Sequence, residues 1–110
     1  MNNLSELIPK GFYHHYKHDP SKGFNDHAYE VVGIGMHSED LGLMVLYRPL
    51  YESSILKDSI AKCWIRPYEM FIGMVEKEGK TVPRFQKIED REVIEKLKTI
   101  KDETYPELDK

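Results

Sequence analysis

The chain has 110 residues, 40% of them hydrophobic and 32% charged, a balance that suits one domain with a modest core rather than a disordered chain. A net charge of −3 gives no basic footprint for nucleic acid, and neither part repairs this: residues 86–110 carry six basic against eight acidic side chains, the rest ten against eleven. Apolar runs are too short to span a bilayer, the N-terminus lacks a leader pattern, and a lone cysteine, Cys63, allows no internal disulfide, so a cytoplasmic location is expected.

In chain order, residues 1–9 read as a short helical turn or a frayed end, punctuated by Pro9-Lys10-Gly11. The aromatic-basic string at 12–17 follows; as a strand it puts Phe12, His14 and Tyr16 on one face and Tyr13, His15 and Lys17 on the other. Turn residues fill 18–25. Residues 29–37 make the best strand, where Gly33 and Gly35 share a face and imply curvature; Glu30, Val32, Ile34 and Met36 form the alternate face, the expected core side after Glu30. A turn at 38–42 and a returning strand at 43–51 complete an antiparallel hairpin, with Pro49 ending the ladder or marking an edge. After a loop at 52–62 with room for a helical turn, a third strand at 63–66 stops at Pro67, which opens one helical turn to Phe71. Residues 72–77 and 81–88 are expected to pair across Glu78-Gly79. Beyond Ile88, Val93, Ile94, Leu97 and Ile100 fall on one helical face, with an acidic start and lysines 96, 98 and 101 near the end, as the helix dipole favours. A polar tail runs over 104–110. The reading is a mainly β domain, a small antiparallel barrel at 11–88, preceded by an extension at 1–10 and followed by an amphipathic helix and tail at 89–110.

Functional candidates sit near strand ends, where sites concentrate. His37 follows the best strand, beside Ser38 and Glu39; it suits a ligand-contacting or acid/base role, or a plain turn in which it bonds the backbone. Arg48 and Arg66 each precede or adjoin proline at a strand end; if their strands are neighbours, both forks converge on one anion, the other reading being ion pairs with Glu30, Glu39 or Glu69 that hold the fold. Tyr47 and Trp64 offer an aromatic wall or simply fill the core. His14, His15, His18 and His27 raise a metal site, but no spacing completes one, so neither metal nor cofactor is expected. Cys63 reads as an inert small side chain, and Gly33-x-Gly35 lacks what a phosphate loop needs.

Five motifs in order carry a resemblance: Gly11, Tyr13, His15-Tyr16-Lys17; Tyr29, Val31, Gly33, His37-Ser38-Glu39; Val45, Tyr47-Arg48, Leu50-Tyr51; Trp64, Arg66-Pro67, Met70-Phe71; and Gly79-Lys80, Val82-Pro83-Arg84-Phe85. Over 11–85 the chain resembles a family of short bacterial proteins built on a domain of unknown function. The resemblance implies an SH3-like barrel and no assigned activity. The loop after Lys17, the link at 52–62 and the helix after Ile88 depart from that pattern. The leading expectation is therefore a binding module whose His37, Arg48, Arg66, Tyr47 and Trp64 face meets an acidic small molecule or a protein partner, as monomer or homodimer. A hydrolase using His37 with an arginine anion clamp is an alternative, opposed by the lack of a nucleophile–base–orienter set. Single-stranded nucleic-acid binding is a third, opposed by the acidic balance.

Overall fold

The computed structural model describes residues 10–57 and 59–105, so the helical turn expected at 1–9 and the tail at 106–110 lie outside the described residues. Among the described residues, seven strands form two antiparallel sheets. In the larger, β1 (Gly11–His15), β2 (Ala28–Met36), β3 (Leu43–Pro49), β4 (Trp64–Pro67) and β7 (Phe85–Lys87) run in the order β4-β3-β2-β1-β7. The smaller pairs β5 (Met74–Lys77) with β6 (Lys80–Pro83). The helices are α1 (Ser54–Lys57), α2 (Tyr68–Ile72) and α3 (Arg91–Thr104). This is the mainly β antiparallel fold with a C-terminal amphipathic helix that the sequence implies.

The edge strands β4 and β7 share no ladder; the segment from α2 through β6 carries the chain from one edge to the other, across one face of the sheet. Two backbone bonds seat it: Arg84 N–H donates to Gly73 O at 2.9 Å, and Tyr16 N–H to Arg84 O at 2.8 Å. The β5–β6 turn uses Glu78 at φ 53° and Gly79 at φ 79°, the paired left-handed conformations of a tight hairpin. The expected single strand at 81–88 is in fact two: β6 stays with β5, and after Arg84 the chain crosses to pair with β1.

Each sheet face has its own core. Tyr13, Tyr29, Val31, Val45, Tyr47, Phe71 and Phe85 form the first, with Phe71 stacked on Phe85 at a centroid distance of 4.0 Å. Their other ring contacts are edge-to-face, which aligns positive ring edges with negative faces. On the second face α3 covers Phe12, Ala28 and Leu50 with Leu97, flanked by Val93, Ile94 and Ile100. The helix starts at Asp90, whose carboxylate accepts from the N–H groups of Glu92 and Val93.

The expected core side of β2 is corrected by this arrangement. Tyr29 and Val31 point into the aromatic core; the ladder then slips at a bulge between Val31 and Gly33, which reverses the alternation and turns Ile34 to the same face. Met36, expected inside, is 60% exposed, and Glu30 lies on the helix face opposite Arg48.

Candidate functional site

Cross-strand register decides which candidates meet. Trp64 stands opposite Tyr47, and Arg66 opposite Val45, so all four share the aromatic face. Arg66 is anchored there: its Nε donates to the Tyr47 hydroxyl at 3.0 Å, and its guanidinium carbon lies 5.7 Å from the Phe85 centroid. Arg48, one position beyond Tyr47, points through the sheet to the other face. It is 3% exposed and directly opposite Glu30, whose Oε1 accepts from its Nε at 2.8 Å and its Nη2 at 2.7 Å. The Tyr105 ring covers the guanidinium at 4.3 Å, and Lys101 approaches the second carboxylate oxygen at 3.3 Å. The strands of Arg48 and Arg66 are indeed neighbours, yet the two forks do not converge, because opposite faces of one sheet separate them.

His37 is occupied within its own turn. Its Nδ1 accepts from the N–H groups of Glu39 at 3.1 Å and Asp40 at 3.4 Å, while Asp40 accepts from Gly42 N–H. Its bond partners all lie within the turn, away from Arg66 and Tyr47.

The aromatic face instead gathers residues that the sequence did not single out as one site. His15, opposite Phe85 in the β1–β7 ladder, meets that ring edge-on at 5.1 Å and the His27 ring at 5.9 Å. His27 adjoins Tyr51 at 5.9 Å, and the hydroxyls of Tyr51 and Tyr29 are hydrogen-bonded to each other. His27 takes a left-handed φ of 50°, a strained conformation held by two contacts: its carbonyl accepts from His15 N–H, and its Nδ1 lies 3.0 Å from Asp26 Oδ2. Burial above all, then the charges of His27, Arg66, Lys17 and Arg84, push the His15 imidazole down to about 4. At neutral pH it is uncharged. With Nδ1 accepting from Lys17 N–H at 3.2 Å, the proton sits on Nε2. Burial likewise raises the Tyr29 phenol far above its ordinary value, so it remains protonated.

The electrostatics are one-sided. Neither Arg66 nor Arg84 has a carboxylate within 4.0 Å among the described residues, and the buried Nε of Arg84 has no hydrogen-bond partner. The nearby Asp26 is already engaged by His27 and by Asp19 N–H. A buried unpartnered donor is costly, so its presence beside further cations points to a missing acceptor. Among the described residues no group of three or more His, Cys, Asp or Glu side chains could hold a metal ion; His14 and His18 stack at 3.6 Å, each bonded to a loop carbonyl. No helix among them is long and apolar enough to cross a membrane.

On the helix face, a pocket of about 440 Å³ is lined by Lys10, Glu30, Val32, Arg48, Cys63 and Lys101. Burial raises the Cys63 thiol there, away from the reactive thiolate.

Comparison with known proteins places the fold. The crystal structure of a DUF1653 protein from Bordetella bronchiseptica matches with a TM-score of 0.57 at 22% identity, over 74% of this chain and 87% of that one. No functionally curated protein matches. A family model described as "Protein of unknown function (DUF1653)" matches residues 11–87, which span every strand of both sheets, and the chain accordingly belongs to the DUF1653 family.

Proposed function

We propose that this domain is a binding module for an acidic ligand, a small molecule or the acidic group of a protein partner, recognised on the aromatic face by Arg66, Arg84 and His15. The observation that carries the reading is that the charges of two guanidinium groups both bear on His15, with no carboxylate near either among the described residues and one of them with a buried Nε that lacks an acceptor. Guanidinium forks take carboxylates or phosphates bidentately, and an aromatic floor of Tyr47 and Phe85 beneath Arg66 holds one fork in place. Trp64, two residues from Arg66 on the same strand face and only partly buried, supplies a wall beside it. Arg48 and His37 are read as fold-holding residues, one clamped to Glu30 and the other closing its turn. Nothing comparable supports a hydrolase: His37 has Nδ1 committed to backbone donors, and the Arg48 fork lies buried on the opposite face.

The test is an NMR titration of the labelled domain with small carboxylates and phosphates. Shifts concentrated at His15, Arg66, Trp64 and Arg84, and lost in Arg66→Ala, are expected. Shifts confined to His37 and Arg48, or none with any anion, defeat the proposal.

A further inference from the structure

We infer that the anion taken by this face is a phosphate monoester carried on a planar ring, rather than a carboxylate. The inference rests on the acidic-ligand reading above and narrows it. Charge count comes first. Arg66 and Arg84 are permanently charged, Lys17 adds a third cation near His15, and the neighbouring carboxylate, Asp26, is bonded to His27 and Asp19. A single carboxylate leaves at least one guanidinium unneutralised, whereas a phosphate monoester carries close to two negative charges at neutral pH. Donor geometry points the same way. Tyr47 uses Arg66 Nε, so its two Nη groups remain; the buried Arg84 Nε has no partner, and neutral His15 carries its proton on Nε2. Three terminal phosphate oxygens accept from two forks and a ring N–H together, more than the two oxygens of a carboxylate accommodate.

The ring follows from what adjoins the charges. Trp64 shares a strand face with Arg66, and ring contacts run from His15 to His27 and on to Tyr51; all three of Trp64, His27 and Tyr51 are partly exposed, which leaves aromatic surface near the cations. Stacking against such surfaces is indifferent to the identity of the ring, which makes nucleotides and aryl phosphates two sources of one chemistry.

The experiment measures dissociation constants on the wild-type chain by calorimetry at about pH 7.5 and fixed low salt, where a phosphate monoester is a dianion. Phenyl phosphate, methyl phosphate, benzoate and adenosine monophosphate are the probes. Phenyl phosphate is expected to bind on the order of tenfold tighter than benzoate, and also tighter than methyl phosphate. If benzoate matches phenyl phosphate, the phosphate assignment falls while the acidic-ligand reading stands. If no probe binds, both fall. If methyl phosphate equals phenyl phosphate, the ring is wrong. Adenosine monophosphate outcompeting phenyl phosphate supports the nucleotide source, and the reverse supports an aryl phosphate. Arg66→Lys keeps the charge but loses the fork, and is expected to erase most of the preference for phosphate over carboxylate; an unchanged preference overturns the donor argument.

Discussion

Replacing Arg48 by methionine removes one partner of a buried ion pair while roughly preserving the length of the side chain. Glu30 is then left with a side chain only 12% exposed and with Lys101, at 3.3 Å, as the cation still beside it. Breaking a pair of this kind costs about 3–5 kcal/mol, because a desolvated charge loses its counter-charge and two hydrogen bonds. The stacking of the guanidinium on Tyr105 adds to the same loss. Against a total of about 5–15 kcal/mol for a small domain, the change is severe, and at about 4–8 °C per kcal/mol it lowers the melting midpoint by about 12–40 °C. Glu30→Met together with Arg48→Met removes both charges and replaces them with apolar groups, so the double variant should recover most of the loss. Thermal and urea unfolding of wild type, both single variants and the double variant, followed by circular dichroism, give the full cycle. A cost below about 1 kcal/mol for Arg48→Met, or a double variant as unstable as the sum of the singles, refutes the argument.

Three further outcomes are expected. Phe71→Ala, which empties the side chain stacked on Phe85 and touching Tyr13 and Tyr47, should cost about 3–5 kcal/mol in urea unfolding; a cost near zero would mean the aromatic core is not packed as described. His15 ionises at about 4 in the folded domain against 6.5 unfolded, so the unfolded chain binds the extra proton as pH falls from about 6.5 to 4 and stability declines across that window. For a half-buried ring the loss is about 1–2 kcal/mol, and His15→Gln should flatten that part of the stability–pH curve; an unaltered slope rejects the assignment. Asp90→Ala should destabilise by about 1 kcal/mol through loss of the α3 cap, whereas Asp90→Asn should be nearly silent, a contrast readable from paired melting curves.

Much of the architecture was legible because local signals agreed with one another. The 29–51 hairpin, the left-handed Glu78-Gly79 turn and the start of α3 at Asp90 each rest on residue types whose backbone preferences are strong. The faces were harder to read. Alternation predicts orientation only while the register is unbroken, and the bulge at Val31/Gly33 interrupts it, so the expected core side of β2 came out wrong. The same limit applies to Arg48 and Arg66, whose relation depends on a cross-strand register that neither segment encodes alone. His15 and His27 meet where β1 pairs with β2, and Arg84, far away in sequence, joins them only when β7 pairs with β1. A hint was present: the aromatic-basic string at 12–17 and the Pro83-Arg84-Phe85 motif both belong to the recurring pattern, and in strand alternation His15 falls on the face of Tyr13.

The pairing of β1 with β7 and the docking of α3 also set the order in which this chain can fold as it is synthesised. The β2–β3 hairpin contains its own partners and can form early, since its contacts are local. Strand β1 emerges first yet keeps one side unpaired until β7 arrives, and Phe12, Ala28 and Leu50 lose their cover of water only when α3 lies across them. A nascent chain halted before Arg91 therefore holds a bare apolar sheet face, the surface that chaperones recognise and that drives aggregation.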